Sequence, residues 1–317
     1  MSAAHAPDRV GDWLARRTYD AGAFGLERLL DAKGATSVSV VLPAREAAGT
    51  IGPTLAALTP LRAAGLLDEL LVVDAASADG TAQIARAAGA TVVQESEILA
   101  EHGPARGKGD ALWRALHVAR GDVIAFLDAD SAGFEARFAL GLLGPLLTDP
   151  DVAFVKGAYR RPLHVGAEVV PEGGGRVTEL LARPLLNLHV PELAGFVQPL
   201  AGEMAGRRAL LERLPFPVGY GVEIALLLDA HRHAGLDALA QVDLGTRRNA
   251  HQSLQALGAM ACAVLAAAER RIHGDAGLPA DAAALVRPAP DGGSERLEVA
   301  VEERPPLSTL RAADPAT

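Results

Sequence analysis

Two carboxylates, Asp128 and Asp130, directly follow an apolar run that ends at Leu127. Along an extended strand, alternation would place both side chains on one side, where like charges repel each other unless a cation compensates them. A divalent ion held by carboxylate oxygens, and itself holding a diphosphate, would satisfy both acids. The pair therefore predicts a metal-assisted diphosphate site. An acidic strand end followed by a helix cap is the structural alternative.

Two loops earlier in the chain could hold other parts of a phosphorylated ligand. Asp74 closes an apolar run, and the polar loop with Ser77 and Asp79 then leads into a helix, whose free backbone amides can bind an anion or a base edge. Lys108 lies between two glycines before another helix, where it could reach a phosphate. Helix capping and a solvated turn are the alternatives. No Walker or Gly-x-Gly-x-x-Gly motif follows the first strand, which argues against P-loop and NAD-binding proteins.

The second half of the chain predicts a pocket for an anionic second ligand. Three glycines lead into Arg176 and Thr178, and free amides, a guanidinium and a hydroxyl together suit a phosphate or a carboxylate. Tyr220 and Glu223 lie at the start of a predicted helix, where Glu223 could bond a hydroxyl or simply interact with the helix dipole. Residues 247–251 add two arginines, an amide and an imidazole.

The elements that must position these residues alternate between strand and helix. Short apolar, β-branched runs are typical of buried parallel strands, and stretches with helical spacing separate them. The predicted strands are residues 37–43, 69–74, 91–93, 123–127 and 152–159. This alternation predicts an α/β protein with a Rossmann-like, mainly parallel sheet flanked by helices. In such sheets ligands bind beyond the carboxyl ends of strands, where Pro43, Asp74 and Asp128 would line one crevice.

Composition narrows the function classes. The 317 residues carry a formal net charge of -9, with 50% hydrophobic and 22% charged residues, which is typical of a globular protein and argues against a nucleic-acid partner. The single cysteine, Cys262, excludes an intramolecular disulfide and a cysteine metal cluster. Residues 1–20 lack the apolar run of a signal peptide, and no run reaches the ~18 apolar residues of a membrane span. We therefore expect a cytoplasmic protein without a membrane span.

Many spaced motifs occur in one order between roughly residues 37 and 265. They are Val-Val-Leu-Pro-Ala (40–44), Asp-x-x-Ser-x-Asp-Gly-Thr (74–81), Gly-Lys-Gly-x-Ala-Leu-Trp (107–113), Asp-x-Asp (128–130), Tyr-Arg-Arg-Pro-Leu (159–163), Gly-Gly-Gly-Arg-Val-Thr-Glu-Leu (173–180), Ala-Arg-Pro-Leu (182–185), Gln-Pro-Leu (198–200), Gly-Tyr-Gly-Val-Glu (219–223) and Leu-Gly-Ala-Met (257–260). The pattern resembles the GT-A glycosyltransferases and, more specifically, the glucosyl-3-phosphoglycerate synthases, with mannosyl-3-phosphoglycerate synthases as close relatives.

The resemblance implies a metal-dependent hexosyltransferase. Members of that family move glucose from UDP-glucose, with retention of configuration, to the 2-hydroxyl of D-3-phosphoglycerate. The resemblance also implies Mg²⁺ or Mn²⁺ as cofactor, a homodimer, and a product that feeds glucosylglycerate or methylglucose lipopolysaccharide synthesis. Residues 1–35 are themselves typical of a polar helical arm. The chain after them divides into a nucleotide-sugar-binding GT-A core (36–160) and an acceptor-binding part (161–275). Composition predicts that residues 276–317 are a partly flexible tail.

The resemblance assigns roles residue by residue. Donor contacts fall on Pro43, Ala44, Arg45, Glu46, Ser77, Lys108, Asp128 and Ala129. Acceptor contacts fall on Gly175, Arg176, Thr178, Tyr220 and Asn249. The reacting centre is formed by Glu223, Lys108 and the backbone of Leu200, and the metal ligands are Asp130 and His251. The family usually has a serine at position 129, so a hydroxyl is lost here. The order Asn249-Ala250-His251 leaves open whether the amide or the imidazole ligates the metal.

Three other functions fit part of the pattern. A mannosyl-3-phosphoglycerate synthase would use GDP-mannose, and the loop around Ser77 does not distinguish uracil from guanine. A nucleotidyltransferase also uses paired acids, but it would usually show a glycine-rich, basic first loop, which residues 43–46 are not. A nucleotide-binding module with a weak site stays open because of the Asn249 and His251 order. Metal-dependent release of UDP from a nucleotide sugar would separate an enzyme from such a module.

Overall fold

The computed structural model describes residues 6–165, 168–170, 173–247, 252–275, 278, 284–289 and 292–313. Its centre is an eight-stranded sheet. In spatial order the strands are β1 (Thr18–Asp20), β11 (Leu239–Thr246), β6 (Phe154–Arg160), β9 (Met204–Arg207), β5 (Val123–Phe126), β2 (Val38–Ala44), β3 (Glu69–Asp74) and β4 (Thr91–Gln94). Every neighbouring pair is parallel except the two that include β9. Outside this sheet, β7 (Leu163–Val165) and β8 (Glu168–Val170) form an antiparallel pair. The predicted α/β class with a mainly parallel sheet is confirmed.

Helices cover both faces of this sheet, and β2 shows why its residues form a central strand. Val38, Val40, Val41 and Leu42 are fully buried. Val40 and Leu42 belong to one apolar cluster and Val41 to the other, because successive side chains point to opposite faces. The α-helices are α1 (Ala6–Arg17), α2 (Leu26–Lys33), α3 (Ala48–Ala63), α4 (Thr81–Ala87), α5 (Lys108–Val118), α6 (Ala136–Thr148), α7 (Arg183–His189), α8 (Arg208–Leu211), α9 (Val222–Ala234), α10 (Leu254–His273) and α11 (Leu307–Ala313).

One edge of the sheet collects the chain segments that carry the predicted site residues. The parallel strands β2, β3, β5, β6 and β11 all end there, because parallel strands share a direction. The antiparallel strand β9 begins there instead, with Met204 opposite both Phe126 and Lys156. The residues just before Met204 are therefore brought between the ends of β5 and β6. Sequence periodicity did not predict this strand.

The N-terminal segment, predicted as a helical arm, is joined to the main sheet. Its strand β1 pairs with β11 at the sheet edge. Trp13 of α1 is fully buried, donates a hydrogen bond from Nε1 to the Leu239 carbonyl at 2.9 Å, and packs its ring 4.6 Å from that of Phe196. The segment is therefore part of the hydrophobic core.

The described part of the segment after residue 275, which composition predicts to be a partly flexible tail, contains regular secondary structure. Three short strands, β12 (Ala284–Pro288), β13 (Ser294–Glu298) and β14 (Glu303–Arg304), precede α11, and β14 pairs with β10 (Phe216–Pro217). Leu307 is buried at 1% exposure. Specific polar contacts to α5 and α10 hold this segment where apolar content alone would not. Across the described residues, no helix combines the length and apolarity needed to cross a bilayer.

Candidate active site

A cavity of about 230 Å³ lies at the edge of the sheet where the parallel strands end. Its wall combines the end of β5, the start of α5, the loop before β9 and the starts of α9 and α10. Six of its lining residues carry charge: Lys108, Arg161, Arg176, Arg247, Asp128 and Glu223. The described lining thus holds more cations than carboxylates in a chain whose net charge is -9, which suits anionic ligands.

Lys108 lies at the centre of this charge arrangement, as the first residue of α5. Its Nζ lies 2.7 Å from Asp128 Oδ1 and 2.9 Å from Glu223 Oε1. Burial works to lower the pKa of Lys108, but the two carboxylates outweigh it and the pKa is raised. Lys108 therefore stays an ammonium group at any physiological pH, and the structure brings together three residues that the sequence analysis assigned to the donor and the reacting centre.

The two acids of the Asp-x-Asp motif have different environments. β5 ends at Phe126 and the chain turns at residues 129–130, with Ser131 Oγ donating to the Asp128 carbonyl at 2.9 Å. The strand alternation on which the sequence analysis relied therefore does not reach these acids. Asp128 lines the cavity. Burial works to raise the pKa of Asp128, but the nearby charges of Lys108 and Arg247 outweigh it, and the pKa is lowered. Asp130 is exposed.

Asp130 fits the metal role that the resemblance implies. Its carboxylate forms no hydrogen bond or ion pair with any residue that the structure describes, so its oxygens are available to a hard divalent cation. The other expected ligand, His251, and the acceptor residue Asn249 lie outside the described residues.

Arg247 is a functional candidate that the sequence analysis mentioned only as one cation of its loop. Although it is 4% exposed, it forms ion pairs with Glu203 and with Asp128 Oδ2 (3.4 Å), and it donates to Ser131 Oγ. Its guanidinium lies 5.5 Å from the centre of the Tyr159 ring. Arg247 therefore links the end of β11 to the end of β5, and holds Asp128 from the side opposite Lys108.

Lys156 is a second residue whose role the sequence did not predict in this form. It is fully buried on β6 and donates from Nζ to the Ala201 carbonyl at 2.5 Å, so it supports the loop that carries Leu200. Burial lowers the pKa of Lys156 to about 7, and the nearby Glu223 offsets only part of that effect. The sequence does show a lysine inside an apolar strand run, which indicates burial. It cannot show the hydrogen-bond partner, because Ala201 lies 45 residues further along the chain.

Gly202 lies so close to Asp128 and Lys108 that no side chain fits at its position. A Cβ at this position would lie 2.6 Å from Asp128 Oδ2 and would also collide with the Lys108 ammonium. Any larger residue would therefore push apart the central ion pair. The position was not predicted, because only the antiparallel course of β9 brings it beside the end of β5.

Three of the predicted acceptor residues, Gly175, Arg176 and Thr178, line one wall of the cavity, the acceptor wall. Gly175 has φ +70°, in the left-handed region that favours glycine, and leads into a helix containing Arg176. Thr178 is buried and begins a one-turn π-helix (Thr178–Ala182) that widens the helix beside the cavity. Arg176 also donates to the Gln252 carbonyl at 2.7 Å, which links this wall to the segment before α10.

Leu200, Tyr220 and Glu223 also line the cavity. Tyr220 is 52% exposed at the rim, so its ring is free to contact a ligand. Glu223 is 6% exposed and its charge is engaged by Lys108. Glu223 is therefore placed to accept a hydrogen bond from a ligand hydroxyl with its second oxygen.

The predicted donor loop lies beside this cavity without lining it. Pro43 and Ala44 end β2, and Asp74 ends the neighbouring β3 in register with Ala44. The backbone N–H of Glu46 donates to Ser77 Oγ at 2.9 Å, and Ala78 N–H donates to Glu46 Oε1 at 2.8 Å, so the two loops hold each other.

Two neighbouring positions complete this donor crevice. Arg45 is exposed, and Ala129 accepts a hydrogen bond from Thr50 through its carbonyl at 2.7 Å. The buried Asp74 Oδ1 has no hydrogen-bond partner among the described residues, which fits a missing donor such as a base N–H.

Comparison with known proteins agrees with this geometry. Residues 39–164 match the family model Glycosyl transferase family 2. The chain is 44% identical over 313 residues to glucosyl-3-phosphoglycerate synthase of Mycolicibacterium paratuberculosis, covering 96% of this chain and 94% of that protein.

Two solved structures are similar over most of their length. One is the mannosyl-3-phosphoglycerate synthase from Rubrobacter xylanophilus, with a TM-score of 0.86 and 43% identity over 95% of this chain and 99% of the other. The other is the glucosyl-3-phosphoglycerate synthase from Mycobacterium tuberculosis in complex with Mn²⁺, UDP-glucose and phosphoglyceric acid, with a TM-score of 0.80 and 42% identity over 91% and 96%.

Proposed function

The chain belongs to the glucosyl-3-phosphoglycerate synthase family of glycosyltransferases, and from that premise we propose that it transfers glucose from UDP-glucose to the 2-hydroxyl of D-3-phosphoglycerate. The observation that carries the proposal is the cavity itself. It is lined by Lys108, which contacts Asp128 and Glu223, and by a second group of cations, Arg161 and Arg176. A nucleotide sugar and a phosphorylated carboxylic acid are two anions that such a cavity can hold side by side.

The donor half of the reaction depends on Lys108. Its ammonium group would contact the diphosphate and stabilise the charge that develops as the sugar C1–O bond breaks. Asp128 and Glu223 fix this ammonium from two elements, so it requires no reorganisation during the reaction. A divalent cation held by Asp130, together with His251 or Asn249, would neutralise further charge on the leaving diphosphate.

The acceptor half depends on Arg176, Thr178 and the Gly175 amide. These groups would bind the phosphate or carboxylate of the acceptor and so fix its 2-hydroxyl beside the sugar C1. The hydroxyl oxygen then forms the new C1–O bond on the face from which the diphosphate leaves. Its proton passes to the departing phosphate oxygen, so the reaction retains configuration without an enzyme nucleophile. Glu223, engaged by Lys108, is placed to orient the sugar.

A second candidate, transfer of mannose from GDP-mannose, is favoured by the likeness to the Rubrobacter xylanophilus enzyme. The residues around Ser77 and Asp74 offer acceptors and amides that either base could use. A measurement with each nucleotide sugar therefore distinguishes UDP-glucose from GDP-mannose as the donor.

The test incubates the purified protein with 3-phosphoglycerate, Mg²⁺ or Mn²⁺, and either UDP-glucose or GDP-mannose, and measures release of the nucleoside diphosphate. We expect UDP release that requires both acceptor and metal and that EDTA abolishes. Release of GDP instead would assign the mannosyl reaction. Nucleotide binding without release from either donor would reduce the protein to a nucleotide-binding module.

Four finer properties are part of the proposal, of which the cytoplasmic location is expected from the sequence and the other three from the resemblance. They are retention of configuration, a homodimer, a cytoplasmic location and a product used in glucosylglycerate or methylglucose lipopolysaccharide synthesis. The anomeric coupling of the product, measured by NMR, tests retention, and light scattering tests the dimer. We likewise propose residues 36–160 as the donor-binding part and residues 161–275 as the acceptor-binding part.

A further inference from the structure

Three potential metal ligands meet on the surface at the ends of two helices. His189 is the last residue of α7, and Glu269 and His273 lie one turn apart near the end of α10. Their ligand atoms all lie within 4.8 Å of one another, and His273 Nε2 lies 3.6 Å from Glu269 Oε2. The two imidazole rings meet edge to face, with centroids 5.5 Å apart.

The spacing suits a small transition-metal ion. A tetrahedral Zn²⁺ with bonds of about 2.0–2.1 Å to nitrogen and oxygen holds its ligand atoms about 3.4 Å apart. Glu269 and His273 are close to that separation already, because residues four apart share one face of a helix. His189 and His273 are exposed, so small rotations of their side chains would bring the third ligand into place.

His189 has no competing role that would account for its position. Its side chain forms no hydrogen bond or ion pair with the described part of the chain, and its ring contact is with His273. Two imidazoles and one carboxylate are a ligand set that late first-row divalent ions prefer, whereas Mg²⁺ and Mn²⁺ favour oxygen ligands.

We propose that His189, Glu269 and His273 form a second metal site that binds Zn²⁺ or a similar late divalent transition-metal ion, with an open position for water. The site is separate from the reacting centre. His189 lies 13 residues beyond Arg176, which corresponds to roughly 20 Å along the helix at 1.5 Å per residue.

The position of the site indicates what the ion would do. The helical segment from Arg176 to His189 and the segment from Gln252 to His273 both start at the cavity, where Arg176 donates to the Gln252 carbonyl. A metal ion would link the same two segments at their other ends. The ion would therefore stabilise the acceptor wall as a unit without contacting a substrate.

Cobalt provides the test, because Co²⁺ in a site with nitrogen and oxygen ligands absorbs visible light. The full chain is titrated with Co²⁺ in excess Mg²⁺, for wild type, His189→Ala, His273→Ala and Glu269→Gln. We expect one Co²⁺ site in wild type and a loss of affinity of about tenfold or more in each ligand variant. His233→Ala, which removes an exposed histidine at the end of α9, is the matched control and should bind as wild type does.

Two further measurements separate this site from the reacting centre. Asp130→Asn should retain the Co²⁺ spectrum, and Zn²⁺ should raise the Tm of wild type and of Asp130→Asn but not that of His189→Ala. Wild-type Co²⁺ affinity in both histidine variants would overturn the proposal, and so would loss of the spectrum in Asp130→Asn alone. Neither result depends on whether the protein transfers glucose.

Discussion

Lys108 holds two carboxylates that come from different elements, Asp128 after β5 and Glu223 at the start of α9. Three charges in one small volume are stable because each has an opposite partner at hydrogen-bond distance. Arg247 adds a second cation to Asp128, and Gly202 leaves room for the arrangement. The site is therefore held together by ion pairs, and single substitutions should separate the roles of the residues that form them.

Replacing Arg176 tests the acceptor wall. In Arg176→Ala, the KM for 3-phosphoglycerate should rise by about ten- to a hundredfold while the KM for the donor changes little, because a charge-assisted hydrogen bond to the acceptor is lost. Steady-state kinetics with each substrate varied in turn measures both values. Arg160→Ala, which removes an exposed arginine near the cavity that does not line it, is the control. Equal changes in both KM values would contradict the assignment.

Glu95 should make the stability of the fold depend on pH. It is 5% exposed, and burial followed by the nearby Asp110 raises its pKa from 4.5 to about 7. The folded protein therefore binds one proton more than the unfolded chain between these pH values. The contribution of Glu95 to the free energy of unfolding is therefore highest below pH 4.5, where the carboxyl is neutral in both states, and this contribution is lost as the pH rises through about 7.

Glu95→Gln, which keeps the shape of the neutral acid, should remove this dependence. At pH 8 the variant should be more stable than wild type by up to about 3 kcal/mol, and near pH 4.5 the two should be equal. Urea unfolding at several pH values measures the difference. The exposed Glu97→Gln is the matched control and should follow wild type. An equal stability difference at both pH values would show that the fold does not raise the pKa of Glu95.

At the scale of elements, β9 and the C-terminal segment decide how the site is built. β9 runs against its neighbours and so brings Leu200, Gly202 and Glu203 to the edge where parallel strands end. The C-terminal segment packs on α5, the helix that carries Lys108. Trp113 donates from Nε1 to the Pro305 carbonyl at 2.8 Å. This segment therefore stabilises the helix whose first residue is Lys108.

Arg304 is the residue that should test this support. It forms two hydrogen bonds, of 2.9 and 2.7 Å, to the fully buried carboxylate of Asp110 in α5, and it donates to the carbonyls of His102 and Pro104. Arg304→Ala should lower the free energy of unfolding by about 3 kcal/mol, because a buried charge loses a partner. Denaturant titration measures the loss.

The control for that prediction is Arg296→Ala. Arg296 pairs with Glu298 on the exposed hairpin and is 54% exposed, so its removal should change stability by less than about 0.5 kcal/mol. Similar losses in the two variants would indicate that the segment contributes only general surface contacts.

At the scale of the whole molecule, both ends of the described chain return to the core that carries the site. α1 packs across the start of β11, the strand whose other end leads to Arg247. β14 pairs with β10, and Leu307 of α11 is buried in the same apolar cluster as Trp13 and Trp113. The site therefore depends on segments at both ends of the chain.

Trp13 tests that dependence from the N-terminal side. Trp13→Ala should cost about 3–5 kcal/mol of unfolding free energy, because it leaves a cavity in the core and an unpaired Leu239 carbonyl. Calorimetry or denaturant unfolding measures the change. Leu14→Ala, one residue on and 37% exposed, should cost far less. Equal costs for the two would mean that α1 is only loosely attached.

The sequence alone determined the fold class and selected many of the residues that line the cavity. The bounds of strands β2, β3, β4 and β5 agree with the predicted ranges to within about two residues. The reason is that a buried parallel strand has a short, continuous apolar sequence. The residues at strand ends and after glycines, such as Asp128, Lys108 and Arg176, could be selected because their types already imply anion or metal chemistry.

Tertiary structure decided how these residues combine. The pairing of Lys108 with Glu223, of Arg247 with Glu203 and of Lys156 with the Ala201 carbonyl joins residues 44 to 115 positions apart. Local periodicity cannot specify such pairs, because it describes the face of one element and not the neighbour against which that face packs. The order of the strands, and above all the reversed direction of β9, therefore determined which of the predicted groups share the cavity.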